Sequence, residues 1–144
     1  MDKEKLRLQF EKALETHEDG TGNLFFYSLL DFTFDYHTDR EVVSIEVPIS
    51  SLMYNPIGFI HGGIFTYIAD TAMGHLCAAF ADQPGVSLEL KTQFLKTAKT
   101  GTLFAEAYFL KKGKNIQFIE CVIKDEQKQV LTKTTATFYS IHQK

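Results

Sequence analysis

The stretch from Gly62 to about Ala81 constrains the fold of this chain more than any other segment. Its spacing is helical, and apolar side chains cover most of the circumference of the predicted helix. A helix that is hydrophobic on nearly every side must be buried, and a surrounding β-sheet is the usual way to bury it. The apolar residues of this helix are Ile64, Phe65, Ile68, Ala69, Ala72, Met73, Leu76, Cys77 and Phe80.

Strand-like patterns flank this helix on both sides. Before it, apolar and polar residues alternate from Leu30 to Tyr36 and again from Val43 to Val47. The short polar segment His37–Arg40 between the two runs predicts a hairpin connection. After the helix, short polar connections join four further strand-like runs, and such connections favour antiparallel neighbours. These four runs cover about 86–96, 102–111, 115–124 and 129–141, and the first aligns Val86, Leu88, Leu90 and Phe94 on one face.

A separate amphipathic helix is predicted at the N-terminus. Residues 3–16 place Leu6, Phe10, Ala13 and Leu14 on one stripe, as in a surface helix that docks onto a larger body. The predicted architecture is therefore α+β, with an antiparallel sheet around one central helix and an extra N-terminal helix. Because the chain has 144 residues, we expect a single domain, with the N-terminal helix in residues 1–20 and the core in residues 24–141.

Composition argues against several classes of partner. A net charge of −3 disfavours nucleic acid as a ligand, and the near-neutral balance also disfavours a membrane surface. No apolar run reaches the ~20 residues of a membrane span, and the N-terminus lacks the pattern of a secretory signal, so we expect a cytoplasmic protein. Cys77 and Cys121 lie in apolar runs without a Cys-x-x-Cys pair. We expect both to be small buried hydrophobes, and we expect neither a zinc site nor dithiol redox chemistry.

Residues 55–70 contain the best candidates for chemistry. Gly62 and Gly63, at the predicted helix start, offer backbone N–H groups to an anion or a polarised carbonyl. Asp70 lies eight residues after Gly62 on a helix where burying a carboxylate is costly. Gly63, Thr66, Asp70 and Gly74 recur every three to four residues and share a small polar face. For Asp70, the residues alone leave open a structural carboxylate and a catalytic base.

The run Asn55-x-x-Gly58-x-x-His61-Gly62-Gly63, followed by Asp70, resembles the motif of hotdog-fold acyl-CoA thioesterases. It is most similar to the subgroup named for phenylacetic acid degradation. The resemblance covers roughly residues 40–140, and Thr97 stands where the family commonly has proline. It implies the hotdog fold and hydrolysis of an acyl- or aryl-CoA to free acid and CoA, without a metal or redox cofactor. It also implies a homo-oligomer, a dimer or a dimer of dimers, with active sites between subunits.

The resemblance assigns roles to individual residues. Asp70 would activate water or attack the thioester directly, the Gly62 N–H would stabilise the oxyanion, and Asn55 would bind the carbonyl or orient the water. Each residue type also has an ordinary structural use, such as asparagine and glycine in turns. The supporting residues implied are His61, Gly63 and Ser87, and the substrate contacts are Gly58, Thr66 and Gly74.

The spacing of the motif favours a shared site. Eight helical steps separate Gly62 from Asp70, which is about 12 Å at ~1.5 Å per residue. One copy of the segment therefore cannot easily close around one carbonyl, and we expect a second chain to complete the site. Two other functions stay open: a non-catalytic acyl-CoA-binding hotdog module, and a hotdog enoyl-CoA hydratase or dehydratase. Acyl-CoA-binding modules usually sit beside a basic helix-turn-helix, and this sequence shows none before the domain, which disfavours that function. Hotdog hydratases and dehydratases place their His and acidic residue differently, so the pattern fits them poorly.

Overall fold

The computed structural model describes residues 2–142 and confirms the predicted α+β hotdog architecture. A one-turn 3₁₀ helix at Ser51–Met53 precedes the central helix. The helices are α1 (Lys3–Thr16), α2 (Phe25–Leu29) and α3 (Gly62–Phe80), and the strands are β1 (Thr33–His37), β2 (Val42–Pro48), β3 (Gly85–Phe94), β4 (Thr102–Lys112), β5 (Ile116–Lys124) and β6 (Val130–Ser140).

The six strands form one sheet in the order β1-β2-β4-β5-β6-β3, and every neighbouring pair is antiparallel. The central helix α3 packs against β2, β3, β4, β5 and β6, so the sheet curls around it. Strand β3 follows α3 in the chain but pairs only with β6, which leaves its other edge open. The prediction of a buried helix wrapped by an antiparallel sheet is therefore confirmed.

The core lies between α3 and the concave face of the sheet. Phe65, Ile68 and Leu76 of α3 are buried there. Both cysteines are buried and unpaired, as expected from the apolar runs that contain them. Burial raises the pKa of the Cys77 thiol to about 11, so this side chain behaves as a small apolar group near neutral pH.

The segment before β1 differs from its prediction. The alternation from Leu30 to Tyr36 suggested a strand, but β1 begins only at Thr33, and residues Phe25–Leu29 form the helix α2. Tertiary contacts stabilise this short helix. The Gln9 side chain donates a hydrogen bond to the Ser28 carbonyl at 2.6 Å, and the Phe10 and Phe25 rings meet edge to face at 5.4 Å. A five-residue helix is marginal alone, so α1 supports it.

The N-terminal helix has the predicted position in the sequence, but most of its apolar stripe is not covered. Only Ala13 is buried, whereas Leu6, Phe10 and Leu14 are exposed. The predicted surface helix therefore docks onto the body through Ala13 and its neighbours, while the rest of the stripe is exposed within one chain. Helix α1 contacts α2, and the hydrophobic core around α3 includes no residue of α1.

A β-bulge in β3 changes which residues face the core. Opposite β6, Ser87 pairs with Phe138 and Glu89 pairs with the next residue, Thr137, so Leu88 is an extra residue. The predicted shared face of Val86, Leu88, Leu90 and Phe94 is wrong for the first two. Leu88 is 61% exposed, and Val86 is also exposed. The bulge reverses the alternation, so Ser87 lies on the inner face with Leu90.

Candidate active site

Asn55 closes the turn that leads into α3. Its side-chain Oδ1 accepts hydrogen bonds from the backbone N–H groups of Ile57 at 3.1 Å and Phe59 at 3.0 Å. Its own backbone N–H donates to the Phe59 carbonyl at 2.7 Å. Two N–H donors identify the side-chain oxygen, so the Nδ2 group points the other way. Within residues 2–142, no hydrogen bond uses that Nδ2 group.

His61 caps the N-terminus of α3. Its Nδ1 accepts a hydrogen bond from the Gly63 N–H at 2.9 Å, and its carbonyl accepts one from the Ile64 N–H. The ring nitrogen thus satisfies one of the donors that a helix start leaves free. No acceptor among the described residues takes the Gly62 N–H, which remains at the positive end of the helix dipole. A ligand oxygen is a suitable partner for it.

Gly62 opens onto a cavity of about 300 Å³ beside the end of β3. The Phe94 ring lies so close that a Cβ at position 62 would approach two ring carbons at 3.1 Å. Glycine therefore allows the backbone N–H and the aromatic ring to face the same space. The cavity is also lined by Phe59, Ile60, Phe65, Leu95, Lys96 and Thr97.

Asp70 lies near the middle of α3 and faces a larger cavity of about 550 Å³. Its side chain is half-buried, and no hydrogen bond or ion pair joins it to any other residue between 2 and 142. Burial is the main cause that raises the pKa of Tyr27 and of Tyr67, with the nearby charge of Asp70 as a further cause for each. The carboxylate is thus set among aromatic residues with its oxygens available to a ligand or water.

Ser87 lines the Asp70 cavity because of the bulge in β3. In strict alternation with Leu90 it would point away from α3, whereas the extra residue turns it inward. Gly74, one helical turn after Asp70, lines the same cavity with open space beside it, since the nearest atom to a Cβ there is 4.0 Å away on Phe138. The structure thus brings together Asp70, Gly74 and Ser87.

The other predicted substrate contacts lie outside both cavities. Thr66 donates to the Gly62 carbonyl at 3.2 Å and lies 3.4 Å from the Thr92 hydroxyl, so it faces the sheet. Gly58 takes a φ of +84° in the turn closed by Asn55, a conformation that glycine adopts readily. Gly62 and Asp70 line different cavities of one protomer. Across residues 2–142, no cluster of three or more His, Cys, Asp or Glu side chains could hold a metal ion.

Two residues of the Asp70 cavity were missed by the sequence reasoning. Tyr27 belongs to the unpredicted helix α2, and His75 lies on α3 five residues after Asp70. Their side chains approach at 3.3 Å between the Tyr27 hydroxyl and His75 Nε2. Burial lowers the pKa of His75. The one indication in the sequence was a titratable side chain on a helix that is otherwise apolar near its C-terminal end.

Comparison with known proteins identifies the family. The sequence profile of the Thioesterase superfamily matches residues 57–132, a segment that includes the start of α3, Asp70 and Ser87. The chain belongs to this family. A 1,4-dihydroxy-2-naphthoyl-CoA hydrolase from Escherichia coli is 25% identical over 138 residues, which cover 94% of this chain and 95% of the relative.

Two further comparisons extend this result. A Pasteurella multocida protein described as an esterase is 30% identical over 86 residues, and the match spans 58% of this chain and 62% of that relative. The crystal structure of a Bacillus halodurans protein with CoA superposes with a TM-score of 0.86 at 23% identity, covering 98% of this chain and 94% of the other. This superposition confirms the fold. Of the helices within residues 2–142, none has the length and apolarity to span a membrane.

Proposed function

We propose that this member of the Thioesterase superfamily hydrolyses an acyl- or aryl-CoA thioester to free acid and CoA, as in the phenylacetic-acid-degradation-type subgroup. One observation carries the proposal: the half-buried Asp70 carboxylate faces a cavity of about 550 Å³ without a hydrogen-bond partner between residues 2 and 142. A carboxylate in this position is suited to act on a bound water or substrate. The CoA-bound neighbour and the naphthoyl-CoA hydrolase support a CoA thioester as the substrate class.

The proposed reaction needs water, a base and oxyanion donors. Asp70 takes a proton from water while the water oxygen forms a bond to the thioester carbonyl carbon. The negative charge that develops on the carbonyl oxygen is stabilised by the Gly62 N–H, with Asn55 Nδ2 as a second donor. The C–S bond then breaks, and the CoA thiolate leaves and is protonated. Direct attack by the Asp70 carboxylate, with later hydrolysis of the anhydride, uses the same residues.

We infer that two copies of the chain supply one site. Gly62 and Asp70 of one protomer line separate cavities, about 12 Å apart along the helix at ~1.5 Å per residue. The open edge of β3 carries exposed Val86 and Leu88, and Leu95 follows it, which is a surface that a second copy can cover. In a dimer through this surface, Asp70 and Ser87 of one chain would complete the Asn55 and Gly62 half of its partner.

A panel of acyl-CoAs with a thiol reagent tests the activity. We expect CoA release by the wild type, and we expect Asp70→Asn to lower kcat by about 10²- to 10⁴-fold because the base is lost while the shape is kept. Asp82→Asn is the matched control, since Asp82 is an exposed carboxylate just beyond α3. Tight binding without CoA release would instead indicate a binding module, and hydration of an enoyl-CoA would indicate a hydratase. Near-normal turnover by Asp70→Asn would refute the assignment of the base.

Complementation tests the shared site. Asp70→Asn and Asn55→Asp are each expected to be inactive, but mixed dimers would contain one intact site built from the unchanged half of each chain. Random pairing then restores about a quarter of wild-type activity per chain. The two variants are unfolded together in denaturant and refolded, and each variant refolded alone is the control. A mixture that stays as inactive as its components would refute a site made from two copies.

A further inference from the structure

A chain of hydrogen bonds links three side chains from different elements beside the Asp70 cavity. The Tyr36 hydroxyl of β1 lies 2.8 Å from His75 Nδ1 on α3, and His75 Nε2 lies 3.3 Å from the Tyr27 hydroxyl of α2. The imidazole is stacked on Phe34, with a centroid distance of 4.4 Å. Tyr27 in turn contacts Phe34 edge to face at 5.2 Å. These contacts hold the Tyr27 hydroxyl at a defined position.

This chain of hydrogen bonds leaves the Tyr27 hydroxyl able to form one more hydrogen bond. Burial lowers the pKa of His75, so its ring is neutral near pH 7 and has one donor and one acceptor nitrogen. If Tyr36 donates to Nδ1, Nε2–H donates to Tyr27, whose own proton is free for another acceptor. With the opposite tautomer, Tyr27 donates to Nε2 and its oxygen can accept from another donor. In both arrangements, Tyr27 can bind one further polar group.

That capacity is available to a ligand in the Asp70 cavity. Tyr27 and His75 both line this cavity, together with Tyr67 and Phe138. Aromatic walls pack well against a planar ring, while a few fixed polar groups orient the ligand and select it. Tyr27 comes from α2 and Asp70 from α3, so the site for the polar group and the reacting carboxylate lie on different elements of one protomer.

We propose that Tyr27 is a specificity-determining residue that hydrogen-bonds a hydroxyl group on an aromatic acyl moiety, so that the preferred substrates are hydroxyaryl-CoA thioesters. This inference rests on the proposed thioesterase activity and deepens it. A site that offers a polar partner to a substrate hydroxyl discriminates against the analogue that lacks this hydroxyl. Because Tyr27 is only half-buried, we expect a discrimination of about 10- to 100-fold in kcat/KM.

The test compares benzoyl-CoA with its 2-, 3- and 4-hydroxy derivatives. We expect the wild type to favour at least one hydroxybenzoyl-CoA over benzoyl-CoA by about 10-fold or more in kcat/KM. In Tyr27→Phe, that ratio should fall by about 10-fold, since the ring remains and only the hydroxyl is lost. Tyr139→Phe is the matched control, because Tyr139 is a partly exposed tyrosine on β6 whose loss should not alter the ratio. Circular dichroism checks the folding of each variant.

A second variant covers the case in which Tyr27→Phe does not fold. Tyr36→Phe removes the 2.8 Å contact that orients the His75 ring against Tyr27, at a side chain that is 44% exposed. The ratio should fall in the same direction. A wild type that releases CoA from all four thioesters with equal kcat/KM, or a Tyr27→Phe variant with an unchanged ratio, overturns this inference alone. A wild type that releases no CoA from any thioester overturns the proposed function and this inference together.

Discussion

Asn55 performs two tasks that can be separated by mutation. Its Oδ1 closes the turn before α3 through the N–H groups of Ile57 and Phe59, whereas its Nδ2 is the proposed donor to the substrate. Asn55→Ala removes both groups. Asn55→Asp keeps an oxygen in the Oδ1 position and replaces only the Nδ2 donor with a second oxygen. The pair of variants therefore separates the stability of the turn from the chemistry of the site.

The magnitudes follow from the two contacts. Each hydrogen bond contributes about 1 kcal/mol net, so Asn55→Ala should lower the free energy of unfolding by about 2 kcal/mol. In a chain of this size, that loss lowers Tm by about 4–8 °C. Asn55→Asp keeps both bonds with a charged acceptor, so its free energy of unfolding should stay within about 1 kcal/mol of the wild type. Loss of one oxyanion donor should reduce kcat by about 10²- to 10³-fold in both variants.

Thermal unfolding and steady-state kinetics on the best CoA thioester check these values. Protein concentration is held fixed, because association would make Tm depend on it. The expected pattern is an Asn55→Asp variant that is stable and inactive beside an Asn55→Ala variant that is destabilised and inactive. An Asn55→Asp variant with wild-type kcat would refute the role of Nδ2. A rise in KM alone would assign Asn55 to substrate binding rather than to the transition state.

Two further predictions concern packing and thiol reactivity. Gly85→Ala should lower the free energy of unfolding by about 1–3 kcal/mol in urea titrations, because its Cβ would meet Cys77 Sγ at 3.2 Å in the core. Gly74→Ala is the control, because a Cβ there has open space. Alanine favours the helix over glycine, so the free energy of unfolding should rise by about 0.5–1 kcal/mol. Equal effects of both changes would contradict the packing argument. Both cysteines are buried, so a thiol reagent at pH 8 should label neither in the native protein and both in denaturant. Rapid native labelling would show that the core opens readily.

The sequence allowed a good prediction of the fold because α3 is apolar on nearly every side. A helix such as Gly62–Phe80 must be buried, and the period-two runs around it supply a sheet that can bury it. Helix α2 could not be predicted in the same way. Five residues are too few to show a helical period, and contacts with Gln9 and Phe10 of α1 stabilise it.

The sequence predicted those parts of the candidate site that depend only on where a helix begins. Gly62 and His61 mark a helix start, and the structure places them there with the Gly63 N–H capped. Ser87 was selected by resemblance, although the alternation of β3 placed it on the wrong face. The bulge at Leu88 depends on pairing with β6, which a strand's own sequence does not specify. Tyr27 was missed because it belongs to a helix that only tertiary contacts stabilise.

The bulge makes the number of residues in β3 as important as their identity. Ser87 and Leu90 share the inner face because the bulge fits two residues between them where regular alternation has room for one. Deleting one of these two residues would leave Ser87 two positions before Leu90, so regular pairing with β6 would keep both side chains inside and Gly85 in its place against Cys77. Regular pairing without a deletion would instead shift the preceding part of the strand by one position and turn Ser87 outward. The Asp70 cavity therefore tolerates the loss of one residue in this segment, but it does not tolerate a full-length strand without the bulge.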